Sequence, residues 1–372
     1  MKLHITYVTV DSVSEGVGSS QILPLLCRLS KKGIKIHLIS FEKVPTKPDV
    51  QQTLTNYGID WTRLEFGHNG ALAGIHRLFR LTRAIHETDL IHARSDVPTL
   101  AAIFSRKAPV LWDIRSLWAS QRAFIEKNYI KKLIFRGVKP IERICCMRSN
   151  GLSSLTHAVV EVLETQYNNV PKIRVVVPTA VDLEKFKFNS KLPQLVRGLY
   201  SGTYNNYYDL EKSQEYILAI RELQDLEVHW ARPSESGIEK LNAGESHIFE
   251  ATYSLMPQII SEYSFGISIC RQDAGPSLKA AMPTKIAEFL ASGRPVVVSK
   301  GVGDMDCFLN EFKAGVILDT ENDSLLDKAR ELLDLLNDPE TPKQCRALAE
   351  KYFDIESGVS TYIKTYDQIL NY

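Results

Sequence analysis

Residues 282–298 read Met282-Pro283-Thr284-Lys285-Ile286-Ala287-Glu288-Phe289-Leu290-Ala291-Ser292-Gly293-Arg294-Pro295-Val296-Val297-Val298. This stretch spells loop, helix, tight stop and buried strand. Proline is tolerated in a first helical turn, and a threonine beside it can cap free backbone N–H groups. Ile286, Phe289 and Leu290 recur at helical spacing and predict the buried face. Gly293 suits the left-handed position that ends a helix, and Pro295 cannot continue one. Val296 to Val298 is a β-branched run, as expected of a strand covered on both faces. Lys285 falls in the first turn, beside free N–H groups and the positive end of the helix dipole, a place for an anion such as a phosphate. Glu288 follows one turn later on the same face, where a carboxylate can meet paired hydroxyls. Lys285 and Glu288 also read as an ordinary solvated helix pair.

The flanking sequence weighs on that choice. Upstream, Ser264 to Ile269 predicts another buried strand, followed by a polar loop with Arg271, Gln272, Asp273, Gly275, Ser277 and Lys279. Downstream, Val296–Ser299 runs into Gly301-Val302-Gly303-Asp304. Two consecutive strands therefore end in Gly-, Lys- and Arg-bearing loops at one sheet edge. In open α/β sheets that carboxyl edge is where ligands bind.

The 372 residues suggest about two domains. The 44% hydrophobic and 24% charged content is that of a soluble globular protein, and a net charge of +1 gives no global electrostatic case for nucleic acid. The six cysteines show neither C-x-x-C nor metal-ligand spacing and read as reduced cytosolic thiols. The N-terminus enters a strand pattern at once, so no signal peptide is expected, and no apolar run is long enough to span a bilayer. A cytoplasmic protein is the expectation.

From the start, Leu3–Thr9 predicts a strand, Asp11–Ser20 a loop with Gly16 and Gly18, Gln21–Lys32 an amphipathic helix, and Ile34–Ser40 the next strand. This is a βαβ start with a Gly-bearing loop, short of the full G-x-G-x-x-G, and it also reads as a mere tight turn. Glu42 is the nearest acidic residue to the end of the second strand. Ala71–Glu87 predicts a helix with Leu72, Ile75, Leu78, Phe79 and Ile85 facing in. The strands Leu90–Ala93 and Val110–Asp113 end at Arg94-Ser95-Asp96 and Ile114-Arg115. Arg94, Asp113 and Arg115 are thus expected at the same crevice as Gly16 and Gly18. Asp113 and Arg115 read equally as a buried ion pair fixing a loop.

Residues 122–148 predict one long helical region with eight Lys or Arg against two Glu, interleaved with Phe124, Ile125, Tyr129, Ile130, Leu133, Ile134 and Phe135. Such a stretch can lie on anionic lipid headgroups, and is more often a solvated outer helix. Short strands at 151–154 and 173–177 follow. The pattern breaks at Pro178, where the domain boundary is placed, giving 1–178 and 179–354. The second α/β run has a strand ending in Gly202-Thr203-Tyr204, another phosphate-sized loop, and a strand ending at Arg232. Ile355–Leu370 is a terminal helix.

Six pieces, in order along nearly the whole chain, resemble the GT-B glycosyltransferases, specifically glycosyltransferase family 4: GVGSSQILPLLCRLSKKG (16–33), IHARS (91–95), WDIRSLWASQR (112–122), VPTAVDLEKF (177–186), SGTYNNYYDLE (201–211) and PTKIAEFLASGRPVVVSKGVGD (283–304). The resemblance implies an α/β fold of two Rossmann-like domains facing a central cleft. It implies a nucleotide-diphosphate sugar held mainly by the second domain, a glycan or lipid-linked acceptor held mainly by the first, retaining transfer without a metal or other cofactor, and a last helix that returns to the first domain. Glu288 matches the acidic residue for the donor ribose; Lys285, Pro283 and Thr284 match the diphosphate site; Gly16 and Gly18 match the loop approaching the phosphates. Arg94, Asp113 and Arg115 lie on the acceptor side, and Asp113, Arg115 and Lys285 are the expected catalytic groups. Two departures stand out. The family's second glutamate, eight positions before Glu288, is Ala280 here, where Lys279 or the Arg271–Ser277 loop can substitute. The usual Arg and Lys after the first strand of the second domain are Thr203, Tyr204 and Asn205 here; Thr203 and Arg232 stand among the donor-binding candidates. A nucleotide-sugar epimerase on the same fold and an inactive nucleotide-binding interaction protein remain open, and a dinucleotide-dependent dehydrogenase fits less well.

Overall fold

The structure is a computed structural model that describes residues 3–43, 48–67, 70–202, 206–232 and 247–372. It divides into two compact units, residues 1–177 with 355–372, and residues 178–354.

Among the described residues the first unit has seven strands, β1 (His4–Val8), β2 (Lys35–Glu42), β3 (Asp60–Glu65), β4 (Leu90–Arg94), β5 (Val110–Ile114), β6 (Gly151–Ser154) and β7 (Ile173–Val176). They are parallel and ordered β3-β2-β1-β4-β5-β6-β7. The order reverses between β1 and β4, which makes their carboxyl ends the switch point of a doubly wound sheet. Every residue of β4, β5 and β6 is buried, as strands covered on both faces require. The terminal helix Ile355–Asn371 belongs to this unit: Val359, Tyr362, Tyr366 and Ile369 share one core with Ile5, Leu26 and Leu111.

The second unit repeats the topology with β8 (Arg197–Ser201), β9 (Glu227–Arg232), β10 (His247–Glu250), β11 (Phe265–Ser268), β12 (Val296–Ser299) and β13 (Gly315–Leu318), ordered β10-β9-β8-β11-β12-β13 and all parallel. The helix Thr284–Ala291 packs closely on β11: a Cβ on Gly266 would lie 2.3 Å from Phe289 Cδ2. It stops as its sequence predicts. Gly293 takes φ +78°, its N–H donates to Leu290 O at 3.0 Å, and the Arg294 N–H donates to Phe289 O at 2.9 Å. Arg294 is fully buried and donates to the carbonyls of Asn189, Lys191 and Ser261, so it braces the segment behind the helix.

Two sequence expectations need correction, and one helix stands where the sequence pattern shows none. The region 122–148 is three helices, Trp118–Ile125, Tyr129–Gly137 and Pro140–Arg148. The breaks come where Asn128 caps the second, accepting from the Lys131 N–H at 3.1 Å, and where Pro140 opens the third. In the helix Ala71–Ala84, Ile75 and Phe79 face solvent, while Leu78, Leu81, Ala84 and the following Ile85 meet the core; the side chain of Leu72 lies outside the described residues. A helix at Pro48–Asn56 carries too few apolar residues for periodicity to reveal it; Val50 and Leu54 alone are buried. No helix among the described residues is long and apolar enough to cross a membrane.

Candidate functional site

In the second unit the loops after β8, β11 and β12 are laced together at the carboxyl edge. Ser299 Oγ donates to Cys270 O and accepts from Cys270 N–H, both at 2.7 Å, locking the ends of β11 and β12. The Arg271 N–H donates to Tyr207 O at 2.9 Å and the Asp209 N–H to Ile269 O at 3.0 Å, which seats the loop after β8 against that of β11. Thr179 Oγ1 donates to Met282 O at 2.6 Å and holds the approach to the helix at 284.

That helix starts one residue differently from the reading of its sequence. Pro283 occupies the cap position, with φ −63° and ψ 127°, and no side chain caps the turn. The Ile286 N–H is taken up by Pro283 O at 3.0 Å, while the N–H groups of Thr284 and Lys285 have no acceptor among the described residues. Two donors thus remain at the positive end of the helix.

Lys285 is half-buried and its Nζ lies 4.0 Å from the centroid of the Tyr208 ring. Burial pulls its ammonium down to about 8, against the opposing influence of Cys270 and Glu288. Glu288 is buried, and burial pushes its carboxyl up to about 7 against the pull of Lys285. Neither shift is what a solvated surface pair shows; both groups carry charge in a place that disfavours it, where an anion can restore the charge of Lys285 and hydrogen-bond donors that of Glu288.

The other donor-side candidates spread along the same edge. Arg271 forks onto Asp273, with Nε–Oδ1 at 3.0 Å and Nη2–Oδ2 at 2.7 Å, and this pair is exposed. Gln272 Oε1 accepts from the Thr320 N–H at 2.7 Å and ties the same loop to the end of β13. Lys279 is exposed, its Nζ 3.8 Å from where a Cβ on Gly301 would stand. Ala280 is buried and its methyl group can neither donate nor accept a hydrogen bond. Arg232 closes β9, and β8 separates that strand from β11. Thr203, with Tyr204 and Asn205, lies outside the described residues.

In the first unit, Gly16 has φ +52°, and its carbonyl accepts from Ser19 Oγ at 3.0 Å and Ser20 Oγ at 3.1 Å. Gly18 opens a π-helical turn, Gly18–Ile22, and a Cβ there would stand 1.8 Å from Ser12 O. Its glycine is demanded by the chain's own loop. Glu42, which ends β2, is buried and accepts from Ser12 Oγ at 2.6 Å, Val13 N–H at 3.0 Å and Ser40 Oγ at 2.7 Å. The acidic residue at the end of the second strand therefore pins the Gly loop.

Arg94, Asp113 and Arg115 do come together, inside the unit. Asp113 is 0% exposed; Arg115 Nε lies 2.7 Å from its Oδ2, His92 Nε2 at 3.3 Å and Arg94 Nη1 at 3.9 Å. Arg115 Nη2 donates to Tyr362 Oη at 2.8 Å, and His92 Nδ1 lies 2.7 Å from Tyr366 Oη. Arg94 Nε donates to Asp11 Oδ2 at 3.1 Å. Burial works to raise the Asp113 carboxyl, but the Arg115 charge, with His92 and Arg94, outweighs it and holds the group well below the usual carboxylate range. The Asp113 carboxylate faces the terminal helix, with no surface open to an acceptor. The tyrosines at 362 and 366 complete this network from about 250 residues away in sequence, which no local pattern signals.

No protein-family model and no curated protein matches the chain. Solved structures do. The chain is similar to a sucrose-phosphate synthase from Thermosynechococcus elongatus at 14% identity and TM-score 0.74, covering 100% of both chains. It is similar to a glycosyltransferase from Rickettsia africae at 14% identity and TM-score 0.72, covering 99% of both. HepE of Anabaena, solved in complex with UDP and glucose, matches at 13% identity and TM-score 0.64, over 98% of this chain and 99% of that one. These likenesses establish the fold: α/β, with two Rossmann-like units, of the GT-B type.

Proposed function

We propose that this chain is a glycosyltransferase of the family 4 kind, a hexosyltransferase. It moves a sugar from a nucleotide-diphosphate donor to a glycan or lipid-linked acceptor in cell-surface polysaccharide synthesis, with retention of configuration and in the cytoplasm. The observation that carries this reading is the start of the helix at 284. Two backbone N–H donors, a half-buried Lys285 and a buried Glu288 one turn on stand at the carboxyl edge of a Rossmann-like sheet. A protein of the same fold solved with UDP and glucose lends support.

In this reading residues 178–354 hold the donor and the first unit holds the acceptor. Glu288 accepts from the paired ribose hydroxyls. Lys285 and the N–H groups of Thr284 and Lys285 face the diphosphate. As the bond from sugar C1 to the phosphate oxygen breaks, negative charge grows on the diphosphate, and these donors stabilise it. The acceptor oxygen bonds to C1 on the same face, and its proton passes to the leaving phosphate oxygen, so no protein base is needed. Positive charge comes from the protein, and the reaction is proposed to need no metal. The exposed Lys279 and Arg271 take up the sugar side left by Ala280. Asp113 and Arg115 are positioning groups that fix the loop after β5.

The test is a panel of nucleotide sugars, each incubated with the protein alone and with candidate glycan and lipid-linked acceptors. Transfer to an acceptor with release of nucleoside diphosphate is expected. Conversion of the donor without an acceptor would instead identify an epimerase, and tight nucleotide binding without turnover in any mixture would identify a binding protein.

A further inference from the structure

The helix Tyr129–Gly137 has no buried residue. Its inward contact is Phe135, which meets Trp118 edge-on with ring centroids 5.6 Å apart. On the side away from Phe135 the helix shows apolar side chains. Tyr129 and Ile130 are each 69% exposed, Leu133 47% and Ile134 46%. At about 100° per residue these four share one arc of roughly 140°. A surface helix normally turns such an arc to the core and its charges to water. Here the order is inverted. The next helix, Pro140–Arg148, also carries exposed apolar side chains, Ile144 and Met147.

The exposed charges of residues 118–148 are all positive, while Glu142 is buried and the half-buried Glu126 accepts from the Asn128 N–H at 2.9 Å. Arg122, Lys127, Lys131, Arg136, Arg143 and Arg148 are exposed, and the helix itself carries no acidic residue. Lys131 and Arg136 fall on the two borders of the arc.

We propose that this face is a docking surface for an anionic lipid bilayer, with Tyr129, Ile130, Leu133 and Ile134 entering the acyl boundary and the six cations meeting headgroup phosphates. An apolar arc bordered by cations matches the layering of an anionic membrane, apolar inside and negative at its rim. A second copy of this chain is the poorer occupant, because two such faces would bring like charges together around the apolar centre. The inference stands independently of the glycosyl-transfer reading, although a membrane-bound acceptor would suit both.

The experiment is sedimentation of the full chain with phosphatidylglycerol vesicles and with phosphatidylcholine vesicles, at low and at high salt. Binding to the anionic vesicles, weakened by salt, is expected, with at least tenfold less on phosphatidylcholine. The pair Ile130→Ser with Leu133→Ser should lose most of it, and so should Lys131→Glu with Arg136→Glu. All four residues are exposed, so circular dichroism and the melting temperature should not move. Three results would overturn the proposal: no binding to anionic vesicles at low salt, binding that both pairs of substitutions leave intact, or a wild-type dimer that Ile130→Ser with Leu133→Ser turns into a monomer. Because the readout needs neither nucleotide nor turnover, its failure is distinct from a failure of the proposed enzymatic activity.

Discussion

The Lys285 ammonium lies 4.0 Å from the centroid of the Tyr208 ring, so the principal cation of the candidate donor site rests on an aromatic face supplied by the loop after β8. The pair joins two loops of one sheet edge, and it gives a cation that burial disfavours a partial substitute for water. An incoming diphosphate would be a better partner than the ring.

Lys285→Met should therefore weaken nucleoside diphosphate binding about 10- to 100-fold, the loss of one charge-assisted contact of about 1.5–3 kcal/mol. Calorimetric titration reads it. The melting temperature should stay level or rise, because the substitution removes a poorly solvated charge.

The same group sets a pH dependence. Its ammonium titrates near 8, and an anion binds the protonated form, so affinity should be full below that pH and fall above it. Glu288 titrates near 7 and must be ionised to accept from hydroxyls, so affinity should also fall below about that pH. The expected profile peaks between the two values. Lys285→Arg should flatten the alkaline limb, since a guanidinium stays charged. For stability the sign is the opposite. The folded state binds the Lys285 proton less readily than the unfolded chain, so this group adds stability as pH rises from about 8 to 10.5.

Glu288→Ala should reduce nucleoside diphosphate affinity about tenfold or more. The sharper readout is discrimination. Wild-type protein should prefer a ribonucleoside diphosphate over its 2′,3′-dideoxy analogue, and the variant should bind the two alike. Equal preference in both proteins would remove the ribose role.

Asp113→Asn should destabilise the first unit by about 3–5 kcal/mol, because Arg115 is left buried beside a neutral amide. Urea denaturation measures it. The Asp113 carboxyl is held well below its ordinary 3.8, so its contribution is present above that pH and is lost as pH falls below it. Wild-type stability should drop on acidification through that range, and the variant should lack this part of the drop.

Gly18→Ala and Gly16→Ala separate two uses of glycine. At Gly18 the new Cβ would stand 1.8 Å from Ser12 O and 2.6 Å from Val13 Cα, so backbone must move, at a cost of about 3 kcal/mol or more. At Gly16 nothing lies within 4 Å, and only the positive φ opposes the change, at about 1–2 kcal/mol. Denaturation midpoints of the two variants should rank in that order.

Much of the architecture was legible in the chain itself. Strands such as Val296–Ser299 and Leu90–Arg94 are β-branched or apolar runs, and the helix at 284 ends where Gly293 and Pro295 demand. These signals are local, so periodicity and turn chemistry carry them. The same holds for Lys285 and Glu288, whose spacing places both on one helical turn. What lies beyond a single turn was not legible. The chain did not reveal that Asp113 and Arg115 face Tyr362, that Glu42 is spent on Ser12 and Val13, that Arg294 is buried against three carbonyls, or that the apolar arc at 129–134 points outward. Each depends on which segment packs opposite, and burial, hydrogen-bond satisfaction and charge pairing are settled between segments distant in sequence.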